Sequence, residues 1–202
     1  MGDGMKRIPA AALVLVVLAA ILVAARLHTY DEPLQTDITG AAVIGHEILA
    51  GRTLYADMGD HKPPALHLTH AAAIGLVGYG PRAIFLLNIT AGIVTLLGVF
   101  AAGSALGSVS AGLWAAAFWT VISGDVWMQG NQPNSEAFIN ACLVWAFALL
   151  VRADTRSGVA RYLAIGALLA LGSLYNQVVA APSRSTCVAA ASWRRELCAP
   201  RR

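Results

Sequence analysis

From Ala83 to Gly124 the chain carries no charged residue. Crossing a bilayer as a helix takes about 20 mainly apolar residues, because the hydrocarbon core is roughly 30 Å thick. This segment is therefore long enough for two spans. Gly103–Ser110 (GSALGSVS) supplies the small, flexible break between them. Composition points the same way. Of 202 residues, 57% are hydrophobic and 12% charged, against roughly 25% charged in an average soluble domain. A mean hydropathy of +0.64 places the chain in the membrane class.

Three further apolar segments complete an expected all-α, polytopic membrane protein of about five spans, near 8–26, 83–103, 108–124, 135–151 and 162–180. The first follows Lys6 and Arg7 and is longer than the 7–15 residues usual for a signal-peptide core. We read it as a retained anchor helix, with a cleaved secretory signal as the alternative. Lys and Arg are enriched in cytoplasmic loops. Lys6 and Arg7 precede span one, and Arg152, Arg156 and Arg161 lie between spans four and five. Both groups fall on one side, so the N-terminus is expected in the cytoplasm of a cell (inner) membrane protein. The loop 27–81 and the polar segment Asp125–Glu136 then face outside.

The tail breaks the pattern. From Ala181 the sequence becomes APSRSTCVAAASWRRELCAPRR, whose five arginines would sit on the wrong side. A shifted reading frame or truncated gene is the preferred explanation for 181–202, with a genuine basic tail as the alternative. The three cysteines, Cys142, Cys187 and Cys198, form no CxxC or Cys/His pattern, so no disulfide or zinc framework is indicated. A net charge of +3 with scattered basic residues does not make the clustered face that nucleic-acid binding needs.

The loop between the first two spans holds all five histidines (His28, His46, His61, His67, His70). It also holds six of the eleven carboxylates: Asp31, Glu32, Asp37, Glu47, Asp57 and Asp60. Charged groups avoid the bilayer, which accounts for some of this concentration but not for its local groupings. Gly40–Ala50 has Val43, Ile44, Ile48 and Leu49 at helical spacing, with His46 and Glu47 opposite. That pattern predicts a short helix in the interface plane, ended by Gly51-Arg52. Pro63-Pro64 starts a new helix, predicted over Ala65–Tyr79. Two such helices flanking a charged turn would build a pocket above the membrane face.

Asp31-Glu32, the helix after it, Gly51-Arg52-Thr53-Leu54-Tyr55-Ala56-Asp57 and then Asp60-His61-Lys62-Pro63-Pro64 resemble the first external loop of the GT-C glycosyltransferases. The likeness is to those related to protein O-mannosyltransferases and the lipid A aminoarabinose transferase. Pro133-Asn134-Ser135-Glu136 before span four is similar to that family as well. The resemblance covers roughly 8–180 and implies the N-terminal part of a GT-C fold. It implies an inverting transfer of a hexosyl or pentosyl group from a polyprenyl-phosphate carrier to a hydroxyl of a lipid, glycan or protein acceptor. Such a reaction needs a carboxylate base opposite the leaving group and positive charge to hold the departing phosphate.

On that resemblance, Asp31 matches the base, with capping or plain solvation as the alternative. Glu32 orients the site or acceptor, or is simply solvated. Lys62 matches the lysine that contacts the carrier phosphate. Its alternative is a snorkelling interface lysine. Arg52 and Arg82 assist or anchor at the interface. Tyr55 and Asp57 shape the sugar pocket, or Asp57 is a turn residue. The family often has an acid just before Lys-Pro, where this chain has His61. Asp60 is then the substitute. Tyr175-Asn176-Gln177 also departs from the family pattern, which tends to place a lysine before the glutamine.

Other readings remain open. His61, His67 and His70 with Asp57 or Asp60 would suit a zinc ion. Some enzymes of this fold use a divalent metal, so no cofactor is certain. A transporter would place ionisable groups near the middle of its spans, whereas spans two to four have none there, with Asn88, Thr90 and Thr120 as polar candidates. Asn88-Ile89-Thr90 is formally a glycosylation sequon but falls within a span. Members of the family usually have more spans, so an inactive truncated fragment of such an enzyme is the alternative reading of this chain.

Overall fold

The computed structural model describes residues 4–27, 30, 33–124, 132–153 and 158–177, with backbone only for 4–9. Asp31, Glu32 and the tail 181–202 lie outside the described residues. Among the described residues there are seven helices and no strand: α1 (Gly4–Leu27), α2 (Thr36–Leu49), α3 (Pro64–Val77), α4 (Pro81–Leu106), α5 (Val109–Ile122), α6 (Ser135–Val151) and α7 (Val159–Tyr175). The all-helical class follows from the sequence pattern.

Local chemistry sets many of the helix ends. Pro64 and Pro81 occupy the first turns of α3 and α4, where the missing N–H costs nothing. Ser108 caps α5 by accepting a hydrogen bond from the Ala111 N–H, and Asn134 caps α6 through the Ala137 N–H. Glu136 lies in the first turn of α6, where a negative charge suits the helix dipole. After α3, Gly78 at φ 88° and Gly80 at φ 144° reverse the chain into α4. Such backbone angles strain any residue with a Cβ.

Among the described residues, two helices are long and apolar enough to cross a membrane: α1, over Ala10–Leu27, and α4. At about 1.5 Å per residue, α4 spans about 39 Å. Helices α5, α6 and α7 have 14, 17 and 17 residues, which makes them about 21–26 Å long. They are apolar but shorter than a hydrocarbon core. Length is what separates the two candidate spans from the three further ones expected.

Helix α4 packs against α5 and α6, α6 against α7, and α1 against α5 and α4. The chain alternates direction through α1, α4, α5, α6 and α7. One end of the bundle therefore gathers the C-terminal ends of α1, α5 and α7 with the N-terminal ends of α4 and α6. Helices α2 and α3 pack on each other, and α3 packs on α4 and α7 at this end. The core here joins Ala41, Leu66, Ile74, Leu87, Phe138 and Tyr175. The Tyr175 ring stacks on Phe138 at 4.8 Å, and its hydroxyl shares a 2.7 Å hydrogen bond with Thr69.

The loop helices fall close to their expected positions, but α2 turns a different face inward. Its buried residues are Ile38, Ala41, Ala42 and Gly45, whereas Val43 and Leu49 are exposed. The reason is packing distance. A Cβ on Gly45 would lie 2.8 Å from the Ala71 backbone nitrogen. Small residues let α2 and α3 approach closely, and the bulkier apolar residues are left outside.

Candidate functional site

The segment between α2 and α3 is a tightly bonded turn. Asp57 accepts a 2.7 Å hydrogen bond from the Thr53 N–H through Oδ2, and its own N–H donates to the Thr53 carbonyl. Tyr55, at φ 69°, donates its hydroxyl to the Lys62 carbonyl at 2.6 Å. Asp60 Oδ1 accepts from the backbone N–H groups of His61 and Lys62 at 2.6 and 3.3 Å. It also lies 3.1 Å from His61 Nδ1, while Oδ2 lies 2.9 Å from His67 Nε2. That second approach is an electrostatic contact rather than an aligned hydrogen bond, since Nε2 meets no hydrogen-bond geometry. Asp60 thus fixes the backbone that presents Lys62 and ties it to α3.

Lys62 extends across to α2. Its Nζ donates to Asp37 Oδ2 at 2.8 Å, with the lysine side chain 19% exposed and the aspartate 70%. The hydrogen bond and charge of Lys62 hold the Asp37 carboxyl below its usual range. The other sequence candidates are placed differently. Arg52 pairs with Glu47 at 2.9 Å on the outer surface. His61 is exposed, and Arg82 is exposed at the start of α4. Asp57 serves the turn.

His67 and His70 point inward from α3 and are fully buried. Burial lowers the pKa of both, opposed by Asp60 at His67 and by the Leu66 carbonyl at His70. Both rings are therefore neutral near pH 7. His70 Nδ1 lies 2.9 Å from the Leu66 carbonyl, and its Nε2 has no partner among the described residues. No three His, Cys, Asp or Glu side chains among the described residues are gathered as a metal site. The described residues do not supply the His61/His67/His70 cage that the spacing allowed.

Among the cavities at this end of the bundle, two share the start of α6. The first, of about 100 Å³, lies between α2, α3 and the start of α6 and is lined by Asp37, Lys62, His70, Asn134, Glu136 and Asn176 among others. The second, of about 80 Å³, lies between α1, α4, α5 and α6 and is lined by Arg26, Asn88, Trp119, Asn134, Glu136 and Asn140 among others. Asn134 and Glu136 line both. Comparison with protein-family models, curated proteins and solved structures finds no match.

Sequence reasoning singled out Lys62 but not its partner Asp37 nor Arg26, and it offered His70 only as a possible metal ligand. Arg26 is 3% exposed. A charge at the last turn of an apolar helix reads as an interface marker, and only packing shows it turned inward. Glu136 carried a signal in Pro133-Asn134-Ser135-Glu136, though not one that revealed its place between two cavities.

Proposed function

We propose that the chain is a multi-pass membrane glycosyltransferase that moves a sugar from a polyprenyl-phosphate carrier to an acceptor hydroxyl at the outer face. The single observation that carries this reading is the Lys62 cavity. Lys62, the buried imidazole of His70 with no partner for Nε2 among the described residues, and the capped N-terminus of α6 line one polar space at the end of an apolar bundle, beside the carboxylates of Asp37 and Glu136. That combination suits an anionic leaving group delivered from the membrane. The topology proposed with it has five spans, with α5, α6 and α7 joining α1 and α4 and the N-terminus cytoplasmic.

In this mechanism the acceptor oxygen attacks the anomeric carbon from the face opposite the phosphate. The carbon–oxygen bond to phosphate breaks, and the phosphate leaves with the bonding electron pair. Lys62 stabilises that charge, released from Asp37 as the phosphate takes the carboxylate's place. The acceptor proton passes to Asp31, with Glu32 orienting the acceptor. Asp60 and Tyr55 act through the loop backbone and position Lys62.

The test is transfer of label from a polyprenyl-phosphate sugar in membranes carrying the chain. Asp31→Asn is expected to abolish transfer. Lys62→Ala is expected to raise the donor KM by about tenfold, the scale of one lost charge-assisted hydrogen bond, with the acceptor KM unchanged. Normal turnover by Asp31→Asn, or an unchanged donor KM in Lys62→Ala, contradicts the assignments.

A further inference from the structure

The His70 side chain is 1% exposed, yet its Nε2 has no partner among the described residues. A carbonyl oxygen only accepts, so the 2.9 Å contact with the Leu66 carbonyl places the imidazole hydrogen on Nδ1. Burial disfavours a second proton on the ring. Nε2, at the ring edge away from the backbone of α3, therefore presents a lone pair. Buried acceptors are nearly always paired, because an unmade hydrogen bond leaves the desolvation of the group uncompensated.

Beside this ring lies a pocket of about 130 Å³ between α2, α3 and the start of α4. Leu34, Ala42, Ile74, Tyr79 and Ile84 supply most of its wall, and none of the described residues that line it carries a charge. Thr39 lines it too, but its hydroxyl already donates to the Gln35 carbonyl at 3.1 Å. A buried water needs two to four polar partners, and these walls offer little besides the imidazole. An ion would lose its hydration without meeting a counter-charge. A neutral molecule with one O–H donor and an apolar body meets both conditions. An apolar cavity of about 150 Å³ takes benzene, so this pocket suits a body of about six heavy atoms. His70 also lines the Lys62 cavity, which sets the hydroxyl of such a ligand at the boundary between apolar and polar space.

We infer that the pocket between α2, α3 and α4 binds a small neutral aliphatic alcohol whose hydroxyl donates to His70 Nε2. The inference is independent of sugar transfer and survives its failure.

The test uses the purified full chain in dodecyl maltoside with its histidines labelled with nitrogen-15. Loss of a resonance pair in His70→Phe identifies the His70 ring. In the free chain the directly bonded hydrogen is expected on Nδ1. Titration with 1-pentanol is expected to move the Nε2 resonance saturably. The ether 1-methoxybutane has the same number of heavy atoms but no donor, and should bind at least about tenfold more weakly. Ala42→Leu fills the pocket from α2 and keeps the imidazole. It should weaken 1-pentanol binding by about tenfold or more. Ile84→Phe fills the pocket from α4 and decides the matter if Ala42→Leu does not fold.

A hydrogen on Nε2 in the free chain overturns the inference, as does the absence of a saturable shift at His70. Equal affinity for the ether reduces the pocket to an apolar space and overturns the hydrogen bond. Wild-type affinity for 1-pentanol in folded Ala42→Leu or Ile84→Phe overturns the location.

Discussion

Lys62 reaches Asp37 across 25 residues of sequence, and this contact changes what each residue is expected to do. An exposed ion pair contributes only about 0–1 kcal/mol, and Asp37 is largely exposed. Asp37→Asn should therefore lower stability by less than about 1 kcal/mol. Its larger effect should fall on the donor: a lysine no longer held by a carboxylate should bind phosphate more tightly, lowering the donor KM. A raised donor KM in Asp37→Asn would show that the carboxylate serves the substrate instead. The pH dependence has a definite sign. The folded pKa of Asp37 is depressed, so its contribution is present above the unfolded carboxylate value of about 3.9. It is lost as pH falls through the lower folded value.

Helices α2 and α3 are where the loop becomes a site. Gly45 sets their separation, and Gly45→Ala forces a Cβ to 2.8 Å from the Ala71 nitrogen. Overpacking of this kind costs about 1–3 kcal/mol, so a lower thermal midpoint is expected. An unchanged midpoint would mean that the two helices separate freely. Helix α3 also carries a proton-linked term. Burial depresses the folded pKa values of His67 and His70. Below about pH 6.5, the unfolded imidazole value, the unfolded chain takes up protons that the folded chain refuses, and stability falls. The thermal midpoint should therefore drop between pH 7 and pH 5. In His67→Gln/His70→Gln the midpoint should be lower at pH 7 but less dependent on pH. A slope equal to that of the wild type would exclude these histidines as its source.

At the scale of the molecule, the charge-free run from Ala83 to Gly124 and the other apolar segments made the helical bundle legible, because hydrophobic length is a local property of sequence. Pro63-Pro64 and Gly51 likewise revealed the boundaries of α3 and α2. The buried face of α2 was not legible: the close approach at Gly45 decides it, and the larger apolar residues misdirect the eye. Lys62 was visible through its motif, but Asp37, His70 and Arg26 join sites only through packing between helices distant in sequence. Asp31 and Glu32, the expected base and its neighbour, lie outside the described residues, so their part rests on the family resemblance.

Inverting sugar transfer from a lipid phosphate is the activity proposed for this end of the bundle. The most direct measurement is the anomeric configuration of the product formed when the chain, reconstituted in liposomes, is given a polyprenyl-phosphate sugar and an acceptor alcohol. A glycoside of the configuration opposite to that of the donor is expected, formed with Asp31 and Lys62 intact and not with Asp31→Asn. A product with the donor's configuration, or no product from the intact chain, would contradict it.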